Sequence, residues 1–180
     1  MPLIVEDGTG IINADRYVSA SEFGTYADDN GPSYADFSDD EIEQAIRRGT
    51  RYIDGNYASR WPGSKTYGRD QRLAWPRENV LDSDGSEIPD NEIPWDLKAA
   101  TIEASHRELI EPGGLVPDAG GAPVTSETVG PISVSYASPQ NQNGGRTTRP
   151  AIDDLLYSLL LPSSQGRGGD ATFLWAWWEP

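Results

Sequence analysis

The sequence Gln-Arg-Leu-Ala-Trp-Pro-Arg at residues 71–77 is the part of the chain from which its fold is best understood. Leu73 and Trp75 alternate with an alanine, and Pro76 prevents both helix continuation and donation to a β-ladder. The pattern predicts a buried loop or short extended piece held between two helices. Trp75 can bury roughly 150–250 Å², so we expect it where helices cross. Arg77 is expected to cap a helix C-terminus or to pair with a carboxylate.

Four segments around this stretch carry helix signals. Ser19 and Ser38 are each followed three residues later by a glutamate, the spacing of a capping box. The helix after Ser38 repeats apolar residues every three to four positions, which predicts one buried stripe. The third and fourth helices begin with a proline. Glycine or proline residues end the first, third and fourth helices. The predicted helices span about 20–29, 39–58, 94–110 and 150–162.

A β-strand is predicted at the one place where the hydrophobic period changes to two. Ile132, Val134 and Tyr136 alternate with serines, a pattern typical of a half-buried strand. One strand cannot form a sheet alone, so it pairs either with a hairpin partner at about 124–129 or with a neighbouring subunit. The residues expected at this interface, either within the hairpin or between neighbouring subunits, are Val129, Ile132, Val134 and Tyr136.

The length and composition indicate one domain with long appendages. Gly (19) and Pro (14) together make up 33 of the 180 residues, so much of the chain is loop, arm or tail. The predicted fold is mainly α: a small bundle of three to four helices with a β-strand or hairpin, long loops and an extended C-terminal arm. The predicted divisions are an N-terminal arm (1–18), a helical domain (19–162, with the β excursion at about 124–137) and a spacer with aromatic tail (163–180).

The net charge of −15 argues against a chain that grips nucleic acid over its whole surface, because that mode needs clustered lysine and arginine. An acidic surface suits a channel through which DNA slides, or a protein with basic partners. Eight of the 14 basic residues nevertheless lie between positions 47 and 77. They either touch DNA or pair with the acidic face of a neighbouring subunit, and the second interpretation is preferred. These residues are Arg47, Arg48, Arg51, Arg60, Lys65, Arg69, Arg72 and Arg77.

Several chemistries have no support in the sequence. There is no cysteine and only one histidine, His106, which leaves no thiolate metal site and no nucleophilic triad motif. The acidic stretch 82–87 lacks the full ligand spacing of a calcium loop, and no phosphate-binding glycine motif occurs. We therefore expect neither enzyme activity nor a metal or cofactor. No apolar run reaches the ~18 residues that span a bilayer, so we expect a soluble protein made in the cytoplasm, with no membrane partner.

The C-terminal residues Ala171–Pro180 are strongly aromatic and follow a glycine-rich spacer. Such a segment is a liability if left in water. It docks either on its own domain or on a partner protein, and the second interpretation is preferred because tryptophans dominate protein interfaces. The residues expected at this partner interface are Phe173, Leu174, Trp175, Trp177 and Trp178.

The order and spacing of several short motifs between Ser38 and Leu161 resemble a family of tailed-phage proteins. The motifs are Tyr52-Ile53-Asp54, Tyr57, Arg60-Trp61-Pro62-Gly63, Gln71 with Leu73-Ala74-Trp75-Pro76-Arg77, Ile93-Pro94 and the stretch from Val129 to Tyr136. The family resembles head-to-tail connectors, or adaptors, and its members are often described as DnaT-like single-stranded-DNA-binding proteins. The family core motif corresponds here to Tyr52, Asp54, Trp61, Trp75, Pro76 and Arg77.

The resemblance implies a structural virion protein with no catalytic residue. It implies a homo-oligomeric ring of twelve helical protomers beneath the portal protein and above a tail-side neck or tail-completion protein. Double-stranded DNA would pass through the ring without specific binding, and the aromatic tail would insert into the portal. The location implied is the head-tail junction of the virion. The alternative function is single-stranded DNA binding of the DnaT-like type.

Overall fold

The computed structural model describes residues 4–31, 33–116, 126–129, 132–135 and 149–162. Within these ranges the core is built from four helices, of which α2 and α3 pack most extensively, with α4 against α3 and α1 against both α2 and α3. Each of the four predicted helices is confirmed, although α4 is a short helix that continues as a 3-10 turn. The helices are α1 (Ala20–Asn30), α2 (Asp39–Asn56), α3 (Trp95–Ile110) and α4 (Pro150–Leu156), and the 3-10 turn is Tyr157–Leu159.

The first two helices begin as the capping boxes predict. The Ser19 hydroxyl accepts from the Glu22 backbone N–H, and the Glu22 carboxylate accepts from the Ser19 backbone N–H. Ser38 and Glu41 repeat the arrangement at the start of α2. Each box satisfies backbone donors that a helix N-terminus leaves without an internal partner.

Close approach of α2 and α3 depends on small residues on both helices. A Cβ added to Gly49 would lie 2.7 Å from the backbone nitrogen of Ser105. Ala100 and Ala104 on the facing stripe of α3 have no exposed surface. The small residues Gly49, Ala100 and Ala104 therefore allow the two helix backbones to come into direct contact.

The described residues contain more β-structure than the mainly α prediction, in the form of three separate two-stranded antiparallel sheets. Two of them, with a 3-10 turn at Gly68–Asp70, lie in the long connection between α2 and α3. These ladders are two residues long, too short to produce an alternating sequence pattern. The paired strands are β1 (Ser64–Lys65) with β2 (Arg77–Glu78), β3 (Val80–Leu81) with β4 (Glu87–Ile88), and β5 (Ser126–Val129) with β6 (Ile132–Ser135).

The β5–β6 hairpin confirms the strand predicted from the alternating pattern and its partner in the same chain. Val129 pairs with Ile132, and Glu127 pairs with Val134. Tyr136, predicted as the end of the strand, lies outside the described residues. Pairing of this hairpin with a neighbouring subunit stays a prediction.

Residues 71–77 form the buried loop that the sequence predicts. Trp75 has no exposed surface and contacts Trp61 edge to face, with ring centroids 5.9 Å apart. The Gln71 side-chain amide closes the loop by donating to the carbonyls of Leu73 and Pro76. The loop therefore has its own buried hydrogen bonds in addition to its aromatic packing.

Arg77 corrects one prediction about this loop. Its guanidinium donates to the backbone carbonyls of Pro62, Gly63 and Ala74. These carbonyls belong to turns, since α2 has already ended at Asn56. The helix-capping prediction is wrong because the side chain folds inward between two loops, and Arg77 instead joins those loops.

A polar network fixes the same loop to α2 and to the N-terminal residues. The Tyr17 hydroxyl donates to Asp54 Oδ1 at 2.6 Å, and the Ala74 backbone N–H donates to Asp54 Oδ2 at 3.0 Å. The Trp75 backbone N–H donates to the Tyr17 hydroxyl oxygen at 3.1 Å. Burial raises the pKa of Asp54 to about 6 against these hydrogen bonds, which lower it. Burial also raises the pKa of Tyr17 well above its ordinary value.

Replacing Trp75 with alanine should lower the free energy of unfolding by about 3–5 kcal/mol, because a fully buried indole leaves a cavity. Urea denaturation measures this change. Ile110→Ala is the exposed control, since Ile110 is 62% exposed and its loss should cost less than about 1 kcal/mol. Equal losses for the two variants would contradict the central position of Trp75.

Asp54→Asn should change how stability depends on pH. The folded-state pKa of about 6 is above the ordinary 3.8, so the stabilisation associated with the protonated carboxyl is complete below pH 4 and is lost as pH rises through 6. The wild-type protein should lose on the order of 2 kcal/mol over this interval relative to Asp54→Asn. Denaturation curves at pH 4, 5, 6 and 7 test this, with Asp84→Asn as the exposed control. Parallel profiles for wild type and Asp54→Asn would contradict it.

Candidate nucleic-acid interface

A cavity of about 680 Å³ lies between the second half of α2 and the 63–77 loops. Six basic and two acidic side chains line it, although the whole chain carries a net charge of −15. We call this cavity the cationic cleft. Its basic residues are Arg47, Arg51, Lys65, Arg69, Arg72 and Arg77, and its acidic residues are Asp15 and Asp54.

Three of the basic residues build the walls of the cleft. Arg77 joins the two loops as described above. Lys65 Nζ donates to the Gln71 carbonyl at 3.0 Å, and burial lowers the pKa of its ammonium group. Arg47 Nε lies 2.9 Å from Asp15 Oδ2. These cations are engaged by protein acceptors before any ligand binds.

The other three basic residues have a different environment. Arg51, Arg69 and Arg72 are exposed, and none forms an ion pair or a side-chain hydrogen bond with the described part of the chain. Arg51 lies on α2, Arg69 lies in the 3-10 turn, and Arg72 immediately follows the anchored Gln71. A planar guanidinium with several free N–H donors is suited to phosphate or carboxylate recognition.

The two carboxylates of the cleft do not compensate these three cations. Asp15 is bonded to Arg47 and lies 3.1 Å from the Arg16 guanidinium. Asp54 accepts from Tyr17 and Ala74 and is partly protonated near pH 6 because of its raised pKa. The rim of the cleft is therefore locally cationic.

Arg16 is a residue that no sequence pattern indicated. Its side chain is completely buried, and burial lowers its pKa to about 10. Its partner Asp15 lines the cleft. The only sequence signal is an arginine between two apolar stretches, which does not distinguish a buried guanidinium from an exposed one.

The structure brings together the predicted family core motif. Trp75, Pro76, Arg77 and Tyr52 are buried with Trp61, while Asp54 is half-buried. Three of the six, Asp54, Trp61 and Arg77, line the cleft. The motif therefore forms the support of the cationic cleft.

The structure also divides the predicted basic cluster. Six of its eight members line the cleft, whereas Arg48 binds Glu108 and Arg60 donates to the Leu161 carbonyl. Of the predicted interface residues, Val129, Ile132 and Val134 lie on the β5–β6 hairpin. Tyr136 and the tail residues 173–178 lie outside the described residues.

Two further features are absent from the described part of the chain. Its histidine and acidic side chains form no cluster of three or more suited to a metal ion. None of its helices has the length and apolarity needed to cross a bilayer.

The amino-acid sequence matches a family of known proteins. Residues 1–175 match the family model described as "Putative DnaT-like ssDNA binding protein". No curated protein and no solved structure matches the chain. The family is one of binding proteins and not of enzymes, in agreement with the sequence prediction. Because the match covers nearly the whole chain, the protein belongs to the DnaT-like single-stranded-DNA-binding family.

Proposed function

We propose that the protein binds the phosphate backbone of single-stranded DNA in the cationic cleft. The observation that carries this proposal is the presence of three exposed arginines, Arg51, Arg69 and Arg72, without carboxylate partners in the described chain. The family description supports the same ligand. This was the alternative function in the sequence analysis, and it is now the better supported one.

Local charge supports DNA binding even though the whole chain is acidic. At physiological salt, exposed charges farther apart than about 8 Å are largely screened from one another. A phosphate inside the cleft therefore interacts mainly with the cleft arginines, while the acidic remainder weakens binding to surfaces elsewhere. This arrangement favours a short, local contact with the strand.

The shape of the cleft favours a single strand. A flexible strand can bend into a concave cavity, whereas a stiff duplex presents its phosphates on a convex surface. Single-strand binders also use exposed aromatic rings for base stacking. Tyr67 is 45% exposed, but it does not line the cleft and its ring packs against Gly10. The cleft therefore supports phosphate contacts rather than base stacking.

Arg69→Gln should weaken binding to an oligothymidylate by about three- to tenfold at 0.1 M salt, since one phosphate contact is lost. The slope of log K against log salt should become shallower by about 0.7. Fluorescence anisotropy measures both quantities, and Arg51→Gln and Arg72→Gln should behave alike. Lys98→Gln is the matched control, because it removes one charge from an ion pair with Glu22 outside the cleft. Equal effects of cleft and control substitutions would contradict the cleft as the binding site.

A second candidate function is the head-tail connector that the sequence resemblance implies. The β5–β6 hairpin supports it, because its strands pair only with each other among the described residues and such edges can join a neighbouring chain. In this proposal a twelve-membered ring lies between the portal and a tail-side protein of a virion. The cleft arginines then bind acidic residues of the next protomer, and the tail residues 173–178 insert into the portal.

The connector proposal predicts assembly that does not require DNA. The purified protein mixed with the portal of the same virus should elute as a complex whose light-scattering mass corresponds to many copies of the 19.6 kDa chain. The cleft proposal alone predicts a small species and salt-sensitive oligonucleotide binding. A mass that stays near one protomer with portal present would contradict the connector proposal. Oligonucleotide binding then separately tests the cleft.

A further inference from the structure

A groove separate from the cationic cleft lies where the described chain ends. Two cavities of about 270 and 380 Å³ share Asp82, Ser83, Ser158 and Leu159 in their walls. Together they form one groove between the β3–β4 hairpin, the 3-10 turn after α4 and the start of α3. We call it the C-terminal groove, and it shares no lining residue with the cleft.

The C-terminal groove exposes three large apolar side chains. Leu81, Trp95 and Tyr157 are 59%, 65% and 77% exposed, and all three line it. Val80, Leu97 and Leu156 occupy the core-facing sides of the same elements, which leaves the three exposed side chains on the outer sides. A group of exposed apolar residues around a cavity is typical of a binding surface.

The chain path indicates which segment covers this surface. Residues Arg60 and Leu161 exchange two hydrogen bonds, from Leu161 N–H to the Arg60 carbonyl and from Arg60 Nε to the Leu161 carbonyl. These bonds fix the point at which the chain leaves the domain. Pro162, the next residue, lines the groove itself, so the segment 163–180 starts at its edge.

We infer that the aromatic tail of residues 171–180 docks in the C-terminal groove of its own subunit in the free protein. The intervening residues 163–170 include three glycines, and a glycine-rich linker of this length spans roughly 15 Å, counted from Pro162 at the edge of the groove. The tail supplies Phe173, Leu174 and three tryptophans, which are the side chains able to cover Leu81, Trp95 and Tyr157.

The polar rim of the groove also suits this occupant. Five carboxylates line its two cavities and Arg60 is their single basic residue. An acidic rim repels nucleic acid and other anions. The tail brings three indole N–H groups, which are hydrogen-bond donors without an accepting atom. The segment 163–180 carries Arg167 but also Asp170 and Glu179, so its match to the rim depends on the indole donors and not on net charge. The acidic residues are Asp82, Asp84, Glu87, Glu92 and Asp96.

Cysteine cross-linking in the full-length protein tests the inference, because the natural chain contains no cysteine. Ser83→Cys is combined in turn with Thr172→Cys, Ala176→Cys or Glu179→Cys, which samples the tail without removing an aromatic residue. A disulfide requires Cα atoms within about 7 Å. At least one pair should form an intramolecular disulfide about tenfold faster than the control pairs, because docking raises the effective concentration.

In the control pairs, Ser83→Cys is replaced by Glu111→Cys, which lies outside the groove, and the tail cysteines stay the same. Glu111 is exposed and follows the last residue of α3, roughly 24 Å along the helix from Trp95. The double substitution Leu81→Ser with Tyr157→Ser should remove the rate advantage of the Ser83 pairs without unfolding the protein, since both side chains are exposed. Circular dichroism confirms that the fold is retained.

Three results would overturn the inference. Equal cross-linking rates at positions 83 and 111 would show that the tail samples the surface without docking. Disulfides that form only between copies, seen as a covalent dimer by denaturing gel, would assign the groove to the tail of another subunit. Insensitivity of the fast pair to the Leu81→Ser, Tyr157→Ser substitutions would show that the apolar side chains do not hold the tail.

Discussion

The hydrogen-bond network of Tyr17, Asp54 and the Ala74–Trp75 backbone connects three parts of the chain that are distant in sequence. Asp54 lies on α2, Tyr17 precedes α1, and the two backbone N–H groups belong to the buried loop of residues 71–77. Each donor is matched by an acceptor in a mostly apolar environment, where an unmatched partner would be costly. This network sets the position of the loop relative to α2, and the loop side of the cationic cleft depends on that position.

The distribution of charge follows from how the loop is held. Arg77 donates to carbonyls of two turns, and Lys65 donates to the Gln71 carbonyl. These two cations therefore shape the cleft more than they bind a ligand. Arg69 and Arg72 occupy exposed positions of the same segment, immediately before and after Asp70 and Gln71. One short segment therefore provides both the buried anchor and the exposed cations. Acidic residues gather elsewhere, including the rim of the C-terminal groove.

Sequence reasoning succeeded where structure is decided locally. The capping boxes at Ser19 and Ser38 and the apolar stripe of α2 depend on residues three or four positions apart, so their helices were predictable. The strands β1–β4 and the inward path of Arg77 depend on contacts across turns, for which two-residue ladders give no periodic signal. Basic residues between 47 and 77 were visible in the sequence. The sequence did not show which of these basic residues lack carboxylate partners, because the pairing depends on the positions of Asp15, Glu43 and Glu108 in the fold.

The same reasoning explains why total charge was a poor guide to the candidate site. A net charge of −15 describes the field far from the protein, where salt screens it within about a Debye length. A ligand inside the cleft experiences instead the nearest side chains, whose number and sign are set by the fold. Arg72 is held by the buried residues Gln71 and Leu73 on either side of it, so little backbone freedom is lost when it binds an anion. A small number of positioned arginines can therefore bind an anion on a chain whose overall charge opposes it.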